Sequence, residues 1–272
     1  MCNIMEGKCM NSTKRIISIS NEKGGVGKTT TALCLAEGLR ALKRKVLLVD
    51  MDPQCNSTTT YGATIDDTYT MVDILRKNCS AKDAIQSTEM GDIIPNDPVL
   101  KTIEAEFAAK PINCFLLNSE LSKIEDYDYI ILDTPPHTSF YTICSWIASG
   151  YIIIPIQSEI YSIDGLSGVI ASVREATEMK EQMGQSLTIL GVLQTKFDKR
   201  NSIDQEIHDS LPSILSDMNL NMFKTTIRTS QDVKKAQKYR ENLLEKYPNS
   251  NASKDYKAFV KEVEKEIRKY EK

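Results

Sequence analysis

Apolar residues in this chain fall into short unbroken runs, separated by longer stretches where they recur every three or four positions. The runs at 16–20, 46–50, 129–133, 151–156 and 188–193 have strand length and are rich in Ile, Val and Leu. Such continuous runs predict strands buried on both faces rather than strands with one wet side. A shorter strand is predicted at 92–94, and helices over 29–42, about 99–109, 138–149, 163–183 and 203–211. Near the end, Tyr256, Phe259, Val260, Val263, Ile267 and Tyr270 share one face of a further helix, opposite a mixture of Lys and Glu. Buried strands alternating with helices predict an α/β fold, doubly wound, with a mostly parallel sheet covered on both faces. One domain over 16–272 is expected, after an extension of residues 1–15, because no repeat, low-complexity tract or long linker divides the chain. Ligands in such folds bind at the carboxyl ends of the strands, and that is where the chemistry-bearing residues cluster.

The first strand runs straight into Lys23-Gly24-Gly25-Val26-Gly27-Lys28-Thr29-Thr30 and then into a helix. Glycines here let the backbone turn its N–H groups inward onto phosphate oxygens, and the helix N-terminus adds its positive dipole end. Lys28 supplies a point charge for the terminal phosphates, and the Thr29 hydroxyl is placed to ligate Mg²⁺. Measured against the spacing G-x-x-x-x-G-K-[ST], the first glycine is replaced by Glu22, and an extra lysine, Lys23, sits inside the loop.

Composition excludes more than it assigns. The 272 residues are 41% hydrophobic and 26% charged, ordinary for a globular chain. No apolar run approaches a membrane span, since 147–156 is interrupted by Ser149, Gly150 and Pro155. The N-terminus carries no apolar signal core, so a cytoplasmic protein without membrane attachment is expected. Seven cysteines without a C-x-x-C pair read as reduced thiols, and two histidines, His137 and His208, argue against a histidine metal site. The net charge of −3 hides an asymmetry: from residue 224 onward there are 14 Lys/Arg and 8 Asp/Glu. Within 224–240 six basic residues face Asp232 alone, a pattern that fits either a solvated helix face or a polyanion-binding surface.

Two acidic elements accompany the loop. In Val46-Leu47-Leu48-Val49-Asp50-Met51-Asp52-Pro53-Gln54, two carboxylates follow a strand and point the same way if the chain stays extended. One would support metal-bound water and the other would orient the attacking water. In Tyr127-Asp128-Tyr129-Ile130-Ile131-Leu132-Asp133-Thr134-Pro135-Pro136, an apolar strand ends in Asp133, and the prolines stop it sharply.

The loop, the D-x-D-P-Q run and the strand ending in Asp133 together resemble the ParA/MinD family of ATPases, whose phosphate loop carries the same extra lysine. The resemblance implies ATP and Mg²⁺ as cofactors, held by residues 23–30, with Thr29, Asp50, Asp52 and Asp133 around the metal. It implies catalytic roles for Asp52 and for Lys23, which would reach a partner's nucleotide across a dimer interface. Ile154-Pro155-Ile156-Gln157-Ser158-Glu159 looks like a family segment in which Glu159 would touch ribose. Gly191-Val192-Leu193-Gln194-Thr195-Lys196-Phe197-Asp198 resembles the strand entering the adenine pocket, making Thr195 and Lys196 base-contact candidates, with Arg228 also placed on the nucleotide side. Phe223-Lys224-Thr225-Thr226-Ile227 resembles the last family strand. Cys55 departs from the glycine that relatives usually carry there.

Within that family, small ParA/Soj-type partition proteins fit best. The expected function is an ATP-dependent homodimer that binds double-stranded DNA nonspecifically, associates with the nucleoid, and works with a ParB-like partner that stimulates slow hydrolysis. Arg200 matches a DNA-contacting arginine of relatives, whereas the I-P-R-x-x-R segment has become Ile227-Arg228-Thr229-Ser230-Gln231-Asp232. Arg228, Lys234, Lys235 and Lys238 stand as replacements, since a phosphate contact needs positive charge more than fixed geometry. Two alternatives are a MinD-like membrane-associated positioning ATPase and a nucleotide-gated regulator of replication or transcription with negligible turnover.

Overall fold

The computed structural model describes residues 15–158 and 160–271, with 160–164 given as helical backbone only. In chain order the elements are β1 (Arg15–Ile19), α1 (Lys28–Ala41), β2 (Val46–Asp50), α2 (Asn56–Tyr61), α3 (Met71–Leu75), β3 (Gln86–Thr88), β4 (Gly91–Ile94), α4 (Leu100–Ala108), a 3-10 turn at Pro111–Phe115 and α5 (Leu116–Ser122). There follow β5 (Tyr129–Asp133), α6 (Phe140–Ala148), β6 (Tyr151–Gln157), α7 (Ile160–Glu181), β7 (Thr188–Thr195), α8 (Ser202–Asp217), α9 (Gln231–Tyr239), α10 (Leu243–Lys246) and α11 (Asn251–Tyr270). Arg15, assigned above to the extension, is the first residue of β1; the rest of that extension lies outside the described residues.

The strands form one sheet in the order β3-β4-β2-β5-β1-β6-β7. Every pairing is parallel except β3 with β4. Alternation along each strand divides the core between the two faces. Leu48, Ile17, Ile19 and Ile131 pack beneath α1 and α11, while Leu47, Val49, Ile130 and Leu132 meet α5 and α6. A third cluster joins Ile152, Ile154 and Ile156 of β6 to Val169 and Val173 of α7 and to Ile207, Leu211 and Leu215 of α8.

Helix α11 does pack on the body of the protein. Tyr256, Phe259, Val260, Val263 and Ile267 are buried, although Tyr270 stays half exposed. Its seat on α1 depends on Gly38, where an added Cβ would lie 2.5 Å from Val260 Cγ2. Ion pairs from Arg15 to Glu271 and from Arg44 to Glu264 tie α11 to the ends of β1 and β2.

Two expectations change. The segment 223–227 is not a regular strand: it meets β7 through separate backbone hydrogen bonds, Phe223 N to Val192 O at 3.0 Å and Ile227 N to Gln194 O at 2.9 Å, with isolated bridges at its flanks, Val192 with Met222 and Phe197 with Arg228. The reason is that Lys224 N and Thr225 N donate to the Glu262 carboxylate of α11, at 2.7 and 3.0 Å, instead of to a neighbouring strand. Helix α8 runs past Leu211, where the sequence reading stopped it, and carries Pro212 inside. Burial of Ile207, Leu211 and Leu215, one turn apart, holds it together through the proline.

Candidate nucleotide site

The loop between β1 and α1 takes the shape its glycines allow. Gly25 and Gly27 have φ of 75° and 92°, a region in which side chains with a Cβ are strained. Gly27 is the N-cap of α1, and no acidic residue stands in the first turn, so the positive helix end is left open to an anion. The Val26 side chain is fully buried, which leaves its backbone for the loop. Lys28 is buried and its Nζ donates to the Lys23 carbonyl at 2.9 Å. Burial pulls its pKa down, while Asp133 and Asp52 nearby oppose that shift. Around this loop opens a cleft of about 640 Å³, lined by Gly24–Gly25, Gly27–Thr30, Asp52, Pro136, Thr195–Lys196, Arg228 and Lys234 among others.

The carboxylates meet at neighbouring strand ends. Asp50 on β2 pairs in register with Asp133 on β5. Asp50 Oδ1 accepts from Asp52 N at 3.0 Å, and its Oδ2 accepts from Thr58 N and Thr58 Oγ1 at 2.8 and 2.7 Å. Both oxygens therefore accept hydrogen bonds, one from the turn after β2 and the other from Thr58 in α2. Asp133 is different. Its Oδ2 accepts from Ser57 Oγ at 2.7 Å, but Oδ1 is buried with no hydrogen-bond partner. Burial raises the pKa of both aspartates, most strongly that of Asp133, whose second cause is the charge of Asp50; the Ser57 and Thr29 hydroxyls work against it. Asp52 lies on the cleft wall, accepting from Gln54 N at 2.9 Å. Burial raises its pKa too, opposed by the Gln54 N–H, Lys28 and His137.

This donor set fits Mg²⁺. An orphaned carboxylate oxygen, a threonine hydroxyl beside it and a second carboxylate on the same cleft are hard oxygen donors, the kind that cation takes together with phosphate oxygens and water. Burying such carboxylates without a cation is costly, which their raised pKa values express.

Thr195 and Lys196 reach the phosphate loop. Thr195 Oγ1 donates to Val26 O at 2.7 Å and also lies 3.0 Å from Ile156 O. Lys196 Nζ donates to Gly25 O at 2.6 Å, as does Gln157 Nε2 at 2.5 Å. Glu159 lies outside the described residues. Cys55 adopts φ 54°, a left-handed backbone that glycine takes most readily.

Several of the basic candidates are already engaged. Arg228 makes two side-chain bonds to Asp255 on α11, at 2.8 and 2.6 Å, and lines the cleft together with Lys234. Arg200 pairs with its own neighbour Asp198, Lys235 pairs with Asp232, and Lys238 stands over the Tyr239 ring. Arg200 lies between β7 and α8, whereas Lys234, Lys235 and Lys238 ride on α9.

Residues that pattern reading missed complete the site. Glu22, in the place of the first loop glycine, accepts from Thr138 Oγ1 at 2.5 Å and so joins the phosphate loop to the segment after β5. His137 in that segment has φ 114°, a strained backbone beside the cleft. Ser57 and Thr58, which fix the two aspartates, carry no signal in sequence beyond following the D-x-D run. Glu22 alone was detectable, as the break in the glycine pattern.

A family model described as an AAA domain matches residues 14–189. The sporulation initiation inhibitor protein Soj of Bacillus subtilis is 33% identical, covering 92% of this chain and 98% of Soj. The virulence plasmid ParA family protein pGP5-D of Chlamydia psittaci is 32% identical over 93% of this chain and 95% of its own. Among solved structures, a putative plasmid partition protein of Borrelia burgdorferi bound to AMPPNP superposes with a TM-score of 0.76 at 26% identity, covering 92% of this chain and 98% of that one. Phosphate loop, paired strand-end aspartates, sheet order and relatives agree, and the chain belongs to the ParA/MinD family of P-loop ATPases.

Proposed function

We propose that this protein is an ATPase of the partition type, which dimerises around MgATP, binds double-stranded DNA nonspecifically in that state and drives plasmid or chromosome partitioning with a ParB-like partner. The observation that carries the reading is one cleft lined by the buried Lys28, by Thr29 at the open N-terminus of α1 and by Asp52, with the buried, unpartnered Asp133 oxygen close to Lys28 and Thr29. The loop N–H groups and Lys28 would bind the β- and γ-phosphates. Thr29 and Asp133 would hold Mg²⁺, which neutralises charge on the transferred phosphoryl group. Asp52 faces the same cleft, and its raised pKa makes it a better acceptor for a proton from the attacking water. Lys23 would complete the site of a second copy, so hydrolysis would wait on dimerisation and, further, on the partner protein. Relatives named for partitioning support this class.

The protein would be cytoplasmic, and nucleoid-associated while ATP is bound. Membrane attachment of the MinD kind is disfavoured, because the apolar face of α11 is already buried against α1. No helix among the described residues is long and apolar enough to cross a membrane.

DNA binding is tested by fluorescence anisotropy on unrelated duplexes at several salt concentrations, with ATP and with ADP. Affinity with ATP should fall with salt by about 0.9 log units per decade for each phosphate neutralised. Replacing Arg200, Lys235 and Lys238 by Glu should flatten that slope while ATP-dependent dimerisation persists. No ATP-dependent binding by the wild type at low salt would refute the partition reading in favour of the alternatives without DNA.

A further inference from the structure

Glycine-rich loops bind phosphate only when successive N–H groups face the same way, and glycine gives the backbone freedom to do otherwise. Something must select the productive shape. In a planar trans peptide the carbonyl of one residue and the N–H of the next point in opposite directions. Fixing the Gly25 carbonyl therefore fixes the Val26 N–H, and fixing the Val26 carbonyl fixes the Gly27 N–H. In this protein both carbonyls are held from the carboxyl ends of β6 and β7. Gln157 Nε2 and Lys196 Nζ converge on Gly25 O at 2.5 and 2.6 Å, and Thr195 Oγ1 takes Val26 O at 2.7 Å. The side chains come from two strands that are hydrogen-bonded to each other, with Gln157 and Thr195 in direct register.

Lys196 is aimed by its own backbone. It adopts φ 54°, and its carbonyl accepts from Thr229 Oγ1 at 2.7 Å, which locks the strained turn. An exposed lysine held this way loses side-chain entropy that a solvating role would not require.

We infer that Gln157 and Lys196 are positioning residues that grip the Gly25 carbonyl, turning the Val26 N–H away from it and presetting the phosphate loop to receive an anion. This rests on reading the cleft as a nucleotide site, and it replaces the adenine-contact role expected for Lys196. The two readings differ in what each part of the ligand should feel. A base contact acts on adenosine, whereas a loop brace acts on phosphate.

The test compares wild type with Gln157→Leu, Lys196→Met, their combination and Lys196→Arg. Binding is measured by calorimetric titration of ATP and of inorganic pyrophosphate, and by competition with adenosine, with melting temperature as a folding control. Losing one hydrogen bond to the loop should weaken ATP and pyrophosphate about fivefold in each single variant, and more than about tenfold in the double. Adenosine competition should not change, and Lys196→Arg, which keeps a donor, should recover most of the loss. Gln157→Leu decides the matter, because it removes a donor without removing charge. If it leaves pyrophosphate affinity at the wild-type value while Lys196→Met does not, the effect is long-range charge and the brace is refuted. Loss of adenosine binding with pyrophosphate unchanged would restore Lys196 to the base and equally overturn the inference. A wild-type protein that binds neither ATP nor pyrophosphate would instead remove the nucleotide reading itself.

Discussion

Glu37, in the middle of α1, gives a prediction with a defined sign and size. It is 5% exposed, and its Oε2 has no hydrogen-bond partner. A cavity of about 20 Å³ beside it is walled by Thr30, Cys34, Gln237, Glu241 and Leu243, where α1 meets α9 and α10. Burial raises the Glu37 pKa from 4.5 to about 8; the Leu244 backbone N–H and Arg40 oppose the shift, and Glu245 adds to it. The unfolded chain ionises this carboxyl near its ordinary value, whereas the folded protein keeps it protonated. The contribution of protonated Glu37 to stability is therefore fully present below pH 4.5, declines as pH rises through the interval, and is gone above about 8. Between pH 6 and pH 9 the wild type crosses about two units of that interval, at about 1.4 kcal/mol each, or about 3 kcal/mol in all. Glu37→Gln cannot ionise and should lack this component. Urea denaturation of both proteins at pH 6 and pH 9 measures the difference directly; Asp50, Asp52 and Asp133 titrate in both and cancel. Parallel decline of wild type and variant would refute the reasoning and place the Glu37 carboxylate in contact with water.

Two further substitutions separate binding from fold. Lys28→Ala should abolish ATP binding in isothermal titration, whereas Lys23→Ala should retain it in the monomer and lose ATP-dependent dimerisation or turnover; equal loss of binding by both would refute the cross-interface role of Lys23. Gly38→Ala should lower stability by about 1–3 kcal/mol, seen as a reduced urea midpoint, because its Cβ would sit 2.5 Å from Val260 Cγ2 and push α11 off α1.

The sheet was legible because parallel strands buried on both faces show as unbroken Ile, Val and Leu runs, as in β2, β5 and β6. The phosphate loop was legible because its glycines and Lys28-Thr29 follow such a run. Strand β3 was not, since three polar residues, Gln86–Thr88, with Ser87 exposed between two half-buried neighbours and turning back beside Gly91, carry no hydrophobic period. The irregular segment 223–227 misled because its apolar ends, Phe223 and Ile227, are buried as a strand's would be, while Glu262 on a remote helix takes the N–H groups between them. In the site, residue type singled out Asp50, Asp52 and Asp133 alike, and only geometry distinguishes Asp50, both of whose oxygens accept hydrogen bonds, from Asp133, whose Oδ1 has no partner. The partners of the loop, Gln157 and Lys196, are set by strand register, which a sequence does not display. Cys55 is a further case: its left-handed φ of 54° is a backbone choice that its residue type does not announce.

The central claim is that MgATP assembles two copies and that Asp52 ends that state. Light scattering coupled to size exclusion, run with and without MgATP on wild type and Asp52→Ala while phosphate release is followed in parallel, tests it most directly. The account predicts a species of twice the 30.6 kDa chain mass with ATP alone, transient in the wild type. In Asp52→Ala that species should persist with phosphate release near zero. A variant that hydrolyses ATP at the wild-type rate, or a wild type that stays monomeric at saturating MgATP, would contradict it.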